Sequence, residues 1–203
     1  MIEGSNSETP VPDRLILASA SPRRAELLRA HGFAFSVVPS PVAEPNDFHT
    51  QIAPTELAER ISRHKAESVA RIVPEGLILA ADTLAALDQS VFGKPVDRQD
   101  ARRILRSISG TRHHVITGVT LLDAQSGWRL TRHDVTTVTM RRLSDEELES
   151  YLDTNAWIDK AGAYGIQDQG DAFVERIDGS FTNVVGLPME LLARMLASLP
   201  TAT

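Results

Sequence analysis

Leu77-Ile78-Leu79-Ala80-Ala81-Asp82-Thr83 is the stretch that decides the fold. Its five apolar residues run on without a polar alternation, the pattern of a strand buried on both faces. The run closes on a carboxylate, so the strand is expected to end at Asp82 and to deliver it to the C-terminal edge of a sheet. Ligands of α/β sheets bind at that edge. A carboxylate there can hold Mg²⁺ or act as a general base. It can also do no more than cap the next turn.

Working outward, Leu15–Ala18 is a second short buried strand, preceded by the polar stretch Met1–Asp13, which reads as a disordered lead-in. That lead-in has neither the basic nor the apolar region of a signal peptide. Ser21-Pro22 is an N-cap followed by Pro at the first helical position, opening a helix that Gly32 stops. Phe33–Val38 alternates as a strand, and Pro54–Arg71 reads as a helix with Leu57, Ala58, Ile61 and Ala66 on its apolar face. Downstream, Val91–Pro95 is a turn or strand end, and Arg98–Ile108 is a helix stopped by Gly110. Val115–Leu122 and Val135–Met140 are long strands joined through Ser126-Gly127. Ser144-Asp145-Glu146-Glu147 is a capping box. Ala161–Gln167 is irregular, Phe173–Ile177 a strand and Pro188–Leu199 a terminal helix. Strands and helices intermix, which predicts an α/β fold with a mixed central sheet flanked by helices, built as one domain over residues 14–203.

The 203 residues include 42% hydrophobic ones, enough for a sizeable core, and no cysteine. Disulfide scaffolds, thiolate catalysis and cysteine-rich zinc sites are thereby excluded. A net charge of −6 argues against an extended nucleic-acid surface, though not against a small basic pocket. No apolar run reaches the ~18 residues of a membrane span, so a cytoplasmic setting is expected.

Four constellations could carry chemistry. Ser19-Ala20-Ser21-Pro22-Arg23-Arg24 lies between a strand and a helix. Arginines in a first helical turn face the positive end of the macrodipole. An anion at the helix start would justify them, drawing the free N–H groups, Ser19, Ser21 and both guanidiniums onto phosphate oxygens. Otherwise this is an ordinary Ser-Pro start with solvated arginines. Asp82-Thr83 is the second. In Gly93-Lys94-Pro95 the glycine turns the chain and the proline stiffens it, giving Lys94 a fixed origin suited to phosphate, unless it is only a surface lysine. Asp159 through Gln167 is rich in small residues that would let backbone approach a flat ligand. Gln167 offers an amide for a base edge, and the other reading is a tight structural loop. His113 and His114 should point to opposite faces of a strand, which leaves structural roles for both. Trp157 and Tyr164 read as packing groups, and Arg102, Arg103 and Arg106 as a solvated face.

Taken in order, Ser19 through Arg24, Glu44, Lys65-Ala66, Ala81-Asp82-Thr83, Gly93-Lys94-Pro95, Ser109-Gly110 with His113, Asp159 through Gln167 and Val185-Gly186-Leu187-Pro188 resemble the Maf family. The resemblance implies an elongated, two-lobed α/β fold related to the inosine triphosphate pyrophosphatases. It implies hydrolysis of a nucleoside triphosphate to the monophosphate and pyrophosphate, with a divalent cation, Mg²⁺ or Mn²⁺, as cofactor. Asp82 matches the family's proton acceptor. Arg24, Lys65 and Lys94 match its basic positions and Glu44 its acidic one, so Glu44 and Asp82 are the candidate metal ligands. The specificity positions read Arg23, Thr83 and Gln167, similar to the branch that takes dTTP and UTP. A homodimer is common in the family. Leu84-Ala85-Ala86 is smaller than the expected Val-rich continuation, and His64 precedes the lysine motif. Two other readings stand beside this one: a non-catalytic nucleotide or nucleic-acid binder in septum control, and a pyrophosphatase for noncanonical purine triphosphates.

Overall fold

The long apolar run becomes the centre of the sheet. A computed structural model describes residues 14–42, 52–166 and 172–200, and within them the order is β1 (Leu15–Leu17), α1 (Pro22–Ala30), β2 (Phe35–Val37), α2 (Pro54–Ala70), β3 (Leu77–Leu87), β4 (Ser90–Phe92), α3 (Arg98–Ile108), β5 (Arg112–Asp123), β6 (Arg129–Met140), α4 (Asp145–Asp153), a 3₁₀ turn (Ala161–Ala163), β7 (Val174–Asp178), α5 (Phe181–Val185) and α6 (Met189–Ala197). The seven strands form one mixed sheet ordered β2-β1-β3-β5-β6-β7, with β4 paired to β3. The expected α/β class with a mixed central sheet is therefore what the chain forms. The lead-in Met1–Asp13 lies outside the described residues. No described helix is long and apolar enough to cross a membrane.

β3 corrects one expectation: it does not end at Asp82 but continues to Leu87. The reason lies in its neighbours. β1 runs parallel to β3 only as far as the pair Leu17–Leu79, and the Ala18 N–H adds one more bond to the Leu79 carbonyl. The chain then leaves for α1. β4 returns antiparallel on the same side of β3, but its last pair is Phe92–Ala85. β5 meanwhile covers the other side without interruption from Leu77 to Ala86. Among the described residues, no strand joins β3 on the β1 side between Leu79 and Ala85. Asp82 and Thr83 sit in that gap.

Alternation along β3 sorts its side chains. Leu77, Leu79, Ala81 and Ala85 enter the main core beside α3 and α6. Ile78 and Ala80 pack with Ala66 and Val69 of α2, and Leu84 and Ala86 with Leu57, Ala58 and Ile61. Asp82 falls on the α2 face between those two apolar clusters. The helix is seated very close there. A Cβ built on Gly118, the residue opposite Asp82 in β5, would lie 2.3 Å from the Ala58 carbonyl group, so only glycine fits. Ala85 is small for a related reason. An ideal Cβ on Gly162 would lie 3.1 Å from the Ala85 Cβ, so a valine at 85 would crowd the 161–163 turn.

Helix ends follow local rules. Asp97 caps α3 by accepting from the Asp100 N–H, and Ser144 with Glu147 forms the expected capping box on α4. Arg141 and the Ser144 N–H hold the Glu147 carboxyl down at about 2. The arginines of α3 are engaged rather than merely solvated: Arg98 and Arg102 meet Glu149, and Arg106 meets Asp145. α5, absent from the sequence reading, is a five-residue helix capped by Ser180.

Candidate active site

The gap in the sheet gathers the site. β1 and β4 point into it from opposite ends, so the residues that follow each strand converge there. Ser19, Ser21, Arg23 and Arg24 arrive after β1, and Gly93 and Lys94 after β4. With Lys65, Asp82, Thr83, Asp159 and Lys160, they line a cleft of about 390 Å³.

Lys65 reaches Asp82 from α2. Its Nζ donates to Asp82 Oδ1 at 2.6 Å, and the two side chains are only 6% and 9% exposed. A charged pair this deep persists only where each ion answers the other. The pairing explains why a carboxylate can interrupt a buried strand. It also fixes the Asp82 carboxyl at the cleft wall.

Thr83 faces the opposite side of β3 and meets Arg24. The buried Arg24 guanidinium donates from Nη2 to Thr83 Oγ1 at 3.1 Å, from Nη1 to Ser19 Oγ at 3.1 Å, and from Nε to the Gly186 carbonyl at 2.8 Å. Thr83 Oγ1 also lies 2.9 Å from Thr117 Oγ1. The arginine that looked misplaced on the macrodipole argument thus has internal acceptors, and these aim it across the head of its own helix. Gly186 can present that carbonyl because its φ is +126°, just past the end of α5. Ser21 is the N-cap residue with Pro22 following, but its hydroxyl makes no capping bond, and its N–H donates to Ser19 Oγ. Arg23 donates from Nη2 to the Asp159 carbonyl at 2.8 Å, linking α1 to the 155–163 segment.

Lys94 is exposed on the strap after β4, and the Gly162 N–H donates to the carbonyl of its neighbour Gly93 at 3.1 Å. Glu44 and Gln167 lie outside the described residues. The site therefore brings together Ser19, Ser21, Arg23, Arg24, Lys65, Asp82, Thr83 and Lys94 of the sequence-derived set.

The two histidines part as alternation required. His113 is fully buried, and burial, with a smaller push from His114, lowers it to about 4. Its Nε2 lies 2.8 Å from the hydroxyl of Tyr164, a buried residue of the cleft wall whose own pKa burial raises. Trp157 packs, donating its indole N–H to the Leu152 carbonyl. Sequence reasoning placed Lys160 inside the Asp159–Gln167 motif but gave it no role, and the structure makes it a buried lysine of this wall. The signal was present: a basic residue directly ahead of the small residues Ala161-Gly162-Ala163.

A divalent cation can be weighed against these residues. Among the described residues no group of three or more acidic or histidine side chains gathers. Mg²⁺ does not require one, since it commonly binds through one or two carboxylates plus substrate phosphates and keeps several waters. Asp82, set among phosphate-binding candidates, fits that pattern.

The chain was compared with known proteins. The family pattern of Maf-like proteins matches residues 14–199. A dTTP/UTP pyrophosphatase of Syntrophomonas wolfei is 47% identical over 181 residues, 89% of this chain and 95% of its own length. A dTTP/UTP pyrophosphatase of Alkaliphilus metalliredigens is 45% identical over 185 residues, 91% of this chain and 95% of its own. Among solved structures, a HAM1 protein from Coxiella burnetii is similar at a TM-score of 0.49 and 15% identity, covering 92% of this chain and 99% of that one. With the pattern matched across both walls of the cleft, and relatives alike over nearly their whole length, the chain belongs to the family of Maf-like proteins.

Proposed function

We propose that this protein hydrolyses nucleoside triphosphates between the α and β phosphates, releasing the monophosphate and pyrophosphate, with dTTP and UTP as preferred substrates. The observation that carries the reading is the buried Lys65–Asp82 pair in a cleft that Arg23, Arg24, Lys94 and Lys160 also line. Such a site combines a held carboxylate with cations enough to receive a polyphosphate. The relatives named as dTTP/UTP pyrophosphatases support the same chemistry and the pyrimidine choice.

In the proposed step a water beside Asp82 gives up its proton to the carboxylate as its oxygen attacks the α-phosphorus. A new P–O bond forms, the α–β bridging P–O bond breaks, and its electron pair leaves on pyrophosphate. Lys65 holds the Asp82 carboxylate in place. Arg24, fixed by Ser19, Thr83 and the Gly186 carbonyl, and Lys94 receive charge that grows on the phosphates. Asp82, with Glu44, would hold a Mg²⁺ or Mn²⁺ ion. Bound there, the cation would neutralise phosphate charge and help orient the chain of phosphates. Arg23, Thr83 and Gln167 are assigned to base recognition. A cytoplasmic setting, where nucleoside triphosphates are held, belongs to the proposal.

Pyrophosphate release measured over a panel of nucleotides, with and without divalent cations, tests it. Release from dTTP and UTP at efficiencies at least about tenfold above ATP and GTP is expected, the penalty for one stranded hydrogen-bonding group. No release from any nucleotide would point to a binding protein, and purine preference to a noncanonical purine pyrophosphatase.

A further inference from the structure

Lys160 falls inside the Asp159–Gln167 motif but was given no role of its own in the sequence reading. It is 8% exposed and lines the cleft on the segment that Arg23 grips. Its Nζ donates to the carbonyl of Ala156 and its backbone N–H to that of Trp157, so the side chain leaves the loop from a fixed base. The loop itself is tightly specified. Asn155, Asp159, Gly162 and Ala163 all have positive φ, between +58° and +74°. For Ala163 in particular that conformation must be imposed by its surroundings. Two tertiary hydrogen bonds anchor the loop beside it: Arg23 Nη2 to the Asp159 carbonyl, and the Gly162 N–H to the Gly93 carbonyl. The second joins the strap that carries Lys94 to the one that carries Lys160.

The three cationic segments, α1's first turn, the Lys94 strap and the Lys160 loop, are thus cross-linked around one opening. Among the described lining residues five are basic (Arg23, Arg24, Lys65, Lys94 and Lys160) and two acidic (Asp82 and Asp159). Lys65 and Asp82 answer each other. Several basic side chains gathered on one wall suit a polyanion rather than a neutral ligand. A lysine already held nearly out of water has little hydration left to lose when a phosphate oxygen joins it in a charge-assisted hydrogen bond.

We infer that Lys160 is a further substrate-binding residue, donating to the polyphosphate chain of the nucleotide from the wall that also carries Lys94. This rests on reading the cleft as a nucleoside triphosphate site, but its test does not depend on turnover. Inorganic tripolyphosphate is titrated calorimetrically into the full-length wild type, Lys160→Met, Lys160→Arg and Arg103→Met, with EDTA present so that side chains alone hold the anion. Arg103 is an exposed cation outside the cleft and controls for overall charge. Lys160→Met should weaken binding by about tenfold or more, as expected for one lost charge-assisted hydrogen bond. Lys160→Arg should recover part of the affinity, and Arg103→Met should stay within about twofold of wild type. Melting temperatures are read alongside. Wild-type affinity in a folded Lys160→Met protein overturns the assignment. So does a wild type that binds no tripolyphosphate, or a loss in Lys160→Met that follows its melting temperature and is not relieved in Lys160→Arg. The nucleotide panel reports separately on hydrolysis. A wild type that binds tripolyphosphate without releasing pyrophosphate from any nucleotide would sink the enzymatic reading and leave Lys160 to be judged by its own titration.

Discussion

Removing the ammonium beside Asp82 should be among the most damaging single changes in this protein. Lys65 Nζ and Asp82 Oδ1 are 2.6 Å apart with both side chains under a tenth exposed. At that separation two unit charges attract by about 6 kcal/mol for an effective dielectric near 20. Desolvation of both ions offsets much of this, so the pair adds little net stability over a well-packed apolar one. Breaking it is different, because Lys65→Met strands a carboxylate between two apolar clusters of the α2 face. The expected loss is about 3–5 kcal/mol. Asp82→Asn should also destabilise, since Lys65 then keeps an acceptor but loses the opposing charge. In the double variant neither charge remains, so its loss should fall short of the sum by at least about 2 kcal/mol. Urea unfolding of the four proteins at one pH gives the cycle, with m-values checked for constancy. Losses that add within about 0.5 kcal/mol would refute the coupling. The same proteins separate folding from chemistry. Under conditions where Asp82→Asn is folded, its turnover should drop by roughly 10²–10⁴-fold. Activity that merely tracks the folded fraction would remove Asp82 from the proton-accepting role.

Arg24→Ala should lower both melting temperature and kcat/KM, because the guanidinium holds Ser19, Thr83 and the Gly186 carbonyl as well as facing the cleft. A kcat/KM loss no larger than the stability loss would return Arg24 to a purely structural part. His113, lowered to about 4 in the fold against about 6.5 when unfolded, favours the folded state fully above pH 6.5 and progressively less as pH falls towards 4, by up to about 3 kcal/mol. His113→Gln should lack that part of the acid slope, and matching slopes in urea unfolding from pH 7 to 4 would contradict the assignment. Gln167→Ala should narrow the preference for dTTP over GTP; equal loss for both nucleotides would make Gln167 a loop-shaping residue instead.

The elements most legible in the sequence were those whose signals are local. Arg98–Ile108 is the helix its periodicity and Gly110 describe, and the capping box of Ser144 and Glu147 forms as written. β1 and β3 were visible as unbroken apolar runs. The continuation of β3 past Asp82 was not. An isolated carboxylate argues against a buried strand, and the Lys65 ammonium, 17 residues earlier, helps make it tolerable. That contact depends on how α2 lies across the sheet, and so on Gly118, which no pattern in α2 or β3 announces. α5 was missed because Phe-Thr-Asn-Val-Val has weak helix propensity, and its Ser180 cap and tertiary packing override that preference. Of the site, the ordered motifs could be read; the distances among them belong to the fold.

Those distances also explain why segments so far apart in the chain behave as one pattern. Asp82 and Thr83 are adjacent, so alternation sends them to opposite faces of β3. Asp82 meets Lys65 of α2 on one face, and Thr83 meets Arg24, Thr117 and the Gly186 loop on the other. In an unbroken sheet these faces would open to different spaces. Here β1 stops at Leu17 and β4 ends its pairing at Phe92, so the edge of β3 is uncovered where the dipeptide sits, and one cleft reaches both faces. The carboxylate proposed for chemistry and the hydroxyl that seats the arginine proposed to meet phosphate are thereby a single peptide unit apart. A shift of β3 by one residue would exchange their faces, leaving Asp82 against Arg24 and Thr83 against Lys65. The gap in the sheet, fixed by where two short strands stop, is what allows one register to serve both.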